Sequence, residues 1–155
     1  MIAKLLGAVL FFLGSCAFAQ QSSTFSVTIG TAVLCLDDID PGYFFNYLNK
    51  IKPPARHSEG AYWFATKESF FGVPLKEVFV SDGSSEYTFI GLVTTLTPQQ
   101  LVDALIESAP AGGRFRKREP RNKYSVFISP AGSIIAYQGK FAKIFCRRDK
   151  VRREE

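Results

Sequence analysis

Two cysteines, Cys35 and Cys146, stand 111 positions apart near the two ends of the core-forming part of this chain. Cys35 falls near the end of an apolar run rich in β-branched residues, FSVTIGTAVLCL, and Cys146 closes the last apolar run, GKFAKIFC. No Cys-x-x-Cys motif is present, so a disulfide is expected rather than a redox couple or a metal site. Closing so long a loop removes many conformations from the unfolded chain, and the chain-entropy account assigns the bond roughly 4 to 5 kcal/mol. That is comparable with the whole net stability of a small domain. The pairing predicts a fold in which the first and last core elements lie side by side.

Such a bond needs an oxidising compartment, and residues 1–19 read as the address. Lys4 supplies a positive start, Leu5 to Leu13 an apolar core, and Ala17-Phe18-Ala19 the small residues of a cleavage site before Gln20. The apolar core is shorter than the roughly 20 residues of a permanent span. The expectation is a cleaved signal peptide and a periplasmic or secreted protein with no transmembrane segment. Leu13-Gly14-Ser15-Cys16 also resembles the lipobox of bacterial lipoproteins, which makes acylation at Cys16 the alternative processing. Residues 20–155 suit one domain with one core, and the charged tail that starts at Arg147 is expected to fray.

Ser26 to Leu36 carries Val27, Thr28, Ile29, Thr31 and Val33, which predicts a strand bent at Gly30. Asp40-Pro41 then marks a helix start, and Phe44, Leu48 and Ile51 recur at helical spacing until Pro53-Pro54 stops them. Ala61 to Lys67 alternates as a strand, and Lys76 to Val80 and Tyr87 to Thr95 read as a hairpin around Ser81 to Ser85. A second helix opens at Thr97-Pro98-Gln99-Gln100, a capping-box signature, and ends at Pro110-Ala111-Gly112-Gly113. Tyr124 to Ser129, Ser133 to Tyr137 and Lys140 to Cys146 follow as short strands separated by turn residues. The order β-α-β-β-β-α-β-β-β predicts an α+β fold. It is mainly an antiparallel sheet with two helices on one face and a disulfide between the first and last strands.

Catalytic chemistry has little footing in these residues. The single histidine, His57, lies in a polar connection, and no G-x-S-x-G elbow accompanies it. Asp37, Asp38 and Asp40 lack the order of a calcium loop and read as an acid-rich helix start favoured by the helix dipole. One histidine and two bonded cysteines are too few ligands for zinc, and no phosphate-cradling glycine motif is present. No catalytic residue, metal or cofactor is therefore assigned.

Charge is more informative. Residues 20–113 hold five Lys/Arg against ten Asp/Glu, whereas residues 114–155 hold thirteen against four. Arg114, Arg116, Lys117, Arg118, Arg121 and Lys123 concentrate the positive charge and are a candidate surface for an acidic protein or an anionic envelope polymer. Export argues against a physiological nucleic-acid ligand. Tyr43, Tyr47 and Trp63 are candidate aromatic contacts. These features point to a non-enzymatic exported binding protein, of an inhibitor or immunity-like kind. The alternatives are an envelope-polymer hydrolase with a site near His57 or the early aspartates, and a self-associating structural protein.

Overall fold

The structure, a computed structural model, describes residues 24–109, 114–118 and 125–150. The signal segment, Arg121 and Lys123 lie outside the described residues. The elements run α1 (Thr24–Val33), α2 (Pro41–Ile51), β1 (Arg56–Ser58), β2 (Ala61–Ala65), β3 (Ser69–Phe70), β4 (Val73–Ser81) and β5 (Tyr87–Thr94). After these come α3 (Pro98–Ser108), β6 (Arg116–Lys117), β7 (Ser125–Ile128), β8 (Ile134–Gln138) and β9 (Phe141–Asp149). All strand pairs among the described residues are antiparallel, in the order β1-β2-β4-β5-β9-β8-β7-β6, with β3 paired to β4 outside that path. The α+β fold with a mainly antiparallel sheet is thus as expected.

The segment before Cys35 differs in kind: it is the helix α1 rather than a strand. Its β-branched residues disfavour a helix in isolation, yet Phe25, Ile29, Ala32 and Val33 fall at i, i+4, i+7 and i+8 and bury one stripe. Gly30 is where this helix nests against the sheet, since a Cβ there would sit 3.2 Å from the Phe70 ring. Burial of that stripe outweighs local propensity, so three helices, not two, share the covered face of the sheet.

The end of α1 is built around the sulfur bridge. The Leu36 amide donates to Thr31 O at 2.9 Å and the Cys35 amide to Ala32 O at 3.0 Å, the two bonds of a Schellman cap. Cys35 occupies the left-handed position, φ 61°, that glycine ordinarily takes. It bonds Cys146 with a Cα–Cα distance of 5.2 Å, tying the helix end to β9, and Arg148 Nη2 donates to Cys35 O at 3.1 Å. The remaining helices start as their caps predict. Asp40 Oδ1 accepts from the Tyr43 amide at 3.0 Å, and Thr97 and Gln100 form a reciprocal capping box.

The main core lies between the three helices and the sheet. Val78, Val80, Ile90, Leu92 and Ile144 project from the central strands onto Ile29, Leu48, Leu101 and Leu105. Among the described residues no helix is long and apolar enough to cross a membrane.

Candidate functional site

Strand alternation sends the intervening residues of the same central strands to the other face, where none of the described helices packs. That face should be polar if it meets only water. Instead it carries a second apolar cluster, with Ala61, Trp63, Phe79 and Val93 buried and Phe89 and Phe145 half-buried. The register explains the arrangement, because Arg56, Trp63, Phe79, Gly91, Phe145 and Ile134 form one continuous cross-strand row. Gly91 is the notch in it: a Cβ there would lie 2.3 Å from Phe79 Cζ, 2.6 Å from Phe145 Cβ and 2.8 Å from Ile144 O. The Phe79 ring fills this space, 4.8 Å from Trp63 and 6.4 Å from Phe145 between centroids.

Cations lie against these rings. The Arg56 guanidinium sits 4.1 Å over Trp63 and is held there by Glu77. The indole donates from Nε1 to Ser58 O at 3.0 Å, which leaves Trp63 only 3% exposed. Further along, Arg147 lies 4.8 Å over Tyr87, and the Lys143 amine lies 5.8 Å from the Phe145 ring centre. Lys143 and Arg147 are four apart on β9 and so share this face. A cavity of about 220 Å³ opens here, lined by Trp63, Phe79, Phe89 and Phe145 together with Glu59, Lys143 and Arg147. Among the described residues Lys143 makes no ion pair. Burial lowers its pKa from the ordinary lysine value, while Glu59 acts in the opposite sense.

A larger cavity, about 390 Å³, lies beneath α2 between Phe25, Leu48, Phe64 and Val78, with Lys52, Lys67 and Glu68 at its mouth. Its charged groups are exposed, so they gain less from a ligand than a group already stripped of water.

The sequence candidates fall in separate places. Arg114, Arg116 and Lys117 are exposed and Arg118 is half-buried at the β6 edge of the sheet. Tyr43 is exposed on α2, and Tyr47 packs against the main core, where burial and then Tyr43 and Glu68 push its phenol above the usual pKa. Trp63 belongs to the opposite face, so these three aromatics do not line one groove. Of the candidates only Trp63 enters the cavity beside Lys143.

His57 is drawn to a carboxylate. On β1, its Nε2 stands 2.6 Å from Asp82 Oδ2 in the β4–β5 loop, and its ring stacks on Tyr62. Ser84 donates to Asp82 Oδ1 from its amide at 2.8 Å and from its hydroxyl at 2.6 Å. The order is Ser–Asp–His, with the carboxylate between the other two. A hydrolytic triad needs the imidazole between serine and carboxylate, so here the hydroxyl is held and not activated. These bonds hold Asp82 at a pKa of about 2, led by Ser84 and followed by His57. Asp40 is spent as the α2 cap, while Asp37 accepts from the Asp38 amide. No group of three or more His, Cys, Asp or Glu among the described residues is placed to hold a metal ion.

Comparison with known proteins finds no match to this chain among protein-family models, curated protein sequences or solved structures.

Proposed function

We propose that this is an exported, periplasmic binding protein that engages a macromolecular partner through the helix-free face of its sheet. One observation carries the reading: Lys143 is half-buried among aromatic rings, with no ion pair among the described residues, on a face of the sheet that none of the described helices covers. A partly desolvated cation whose burial outweighs the attraction of Glu59 lowers the stability of the free protein and gains from a partner that supplies a further negative group. The disulfide and the signal-like first residues support an oxidising compartment. Blocking a partner's surface, as an inhibitor does, needs no chemistry beyond such a face.

The test is site-resolved photo-crosslinking in the exporting cell, with the crosslinker placed at Tyr87 beside the cavity, at Ile106 on α3, or at Arg116 on the β6 edge. A discrete adduct at position 87, absent from 106 and 116, is the expected result. Adducts confined to 106 or 116, or none at any position, would overturn the assignment of this face.

A further inference from the structure

We infer that the cavity on this face takes a carboxylate carried on a ring-sized apolar group, with Lys143 and Arg147 receiving the carboxylate and half-buried Phe89 and Phe145 the ring. This deepens the binding reading above and rests on it. Volume sets the first limit, because about 220 Å³ holds one ring and a short acid arm but not a sugar chain or a folded element. The walls set the second: Trp63 and Phe79 are 3% and 5% exposed and already covered, so the apolar surface left to a ligand is that of half-buried Phe89 and Phe145. Charge sets the third. Lys143 and Arg147 flank Phe145 on one face of β9 and both line the cavity, so an anion held over that ring lies between them, with Arg147 turning in from its place over Tyr87. Glu59 shares the lining and acts on Lys143, so it opposes each added negative charge, which favours a monoanion over a polyanion.

Two sources share this chemistry, the C-terminal residue of a partner polypeptide and a free small aromatic acid. Trp63 is the single tryptophan of the chain, so its fluorescence reports the cavity directly. The probes are 3-phenylpropionate, its neutral amide, acetate, inorganic phosphate, and a tripeptide ending in phenylalanine with a free or an amidated C-terminus. A saturable change is expected with 3-phenylpropionate or the free-acid peptide, with the matching amide weaker by about tenfold or more, as loss of a charge-assisted contact implies. The tighter of the two acids identifies the source. Arg147→Gln, on an exposed strand position, is expected to weaken binding, and Arg116→Gln to leave it unchanged.

Equal binding of acid and amide, an equal response to acetate or phosphate, or no saturable response up to about 10 mM, the weak end of the affinity scale, would overturn the ligand class. Crosslinking from position 87 reads the face whatever fills the cavity. Adducts there with no response to the ring acids sink this inference alone, and adducts only elsewhere sink the face.

Discussion

At the scale of single residues, Gly91 and Lys143 make opposite demands on stability. Gly91 lies between two aromatic neighbours in adjacent strands and a backbone carbonyl, so any side chain must displace atoms that cannot all move. Gly91→Ala is expected to cost about 1–3 kcal/mol, the usual range for overpacking, and urea denaturation measures it. Shortening the ring with Phe79→Leu in the same chain should recover only part, because Ile144 O does not move. Lys143 works the other way. Its lowered pKa means the folded protein holds that proton less tightly than the unfolded chain, so charged Lys143 destabilises the fold at neutral pH. Lys143→Met is expected to raise the melting temperature by a few degrees at pH 7, with the gap narrowing as the pH climbs toward 10.5. A variant no more stable than wild type at pH 7 would show that Lys143 is better solvated than its surroundings imply. Neither residue stood out in the sequence. The central strands carry apolar side chains on both faces, so alternation alone did not say which of Phe79 and Val80, or Phe145 and Ile144, meets the helices. Trp63 was visible as a rare aromatic, but its companions became a site only through strand register.

Between elements, the β1–β2 hairpin is fastened to the β4–β5 loop by Asp82. Its amide donates to Gly60 O at 2.9 Å, while its carboxylate takes Ser84 and His57. Because the folded pKa of about 2 lies below the ordinary 3.8, the ionised group stabilises the fold above pH 4 and that stability is lost as the pH falls toward 2. Asp82→Asn is expected to lower the urea midpoint at pH 6 and to match wild type near pH 2. A gap that persists at the lower pH would assign the effect to shape and not to charge. The α3 capping box predicts a loss of about 1 kcal/mol for Thr97→Ala, read from thermal unfolding. Both helix starts were legible because capping is a contact between residues near in sequence. The segment Ser26 to Leu36 was read as a strand because its β-branched content was given more weight than the spacing of Phe25, Ile29, Ala32 and Val33, which only the sheet beneath makes decisive. Strands of two or three residues such as β1, β3 and β6 have no periodicity to read and exist through their partners.

For the molecule as a whole, the two cysteines were the most informative pair in the sequence, since they brought the start and end of the core together before any strand order was known. Removing the bond with Cys35→Ala and Cys146→Ala is expected to cost roughly 2–5 kcal/mol in urea denaturation. Cys35→Gly with Cys146→Ala should lose about 1 kcal/mol less, because glycine relieves the left-handed backbone at position 35. Equal losses would mean the helix end unwinds once the bridge is gone. The strand that carries Cys146 is also the hinge of the topology: β9, the last of the described strands in chain order, lies between β5 and β8 in the middle of the sheet. Until β9 has been synthesised, β5 lacks one of its two neighbours, and β7 and β8 have no strand through which to join it. The two halves of the sheet are therefore joined only when this strand takes its place between them.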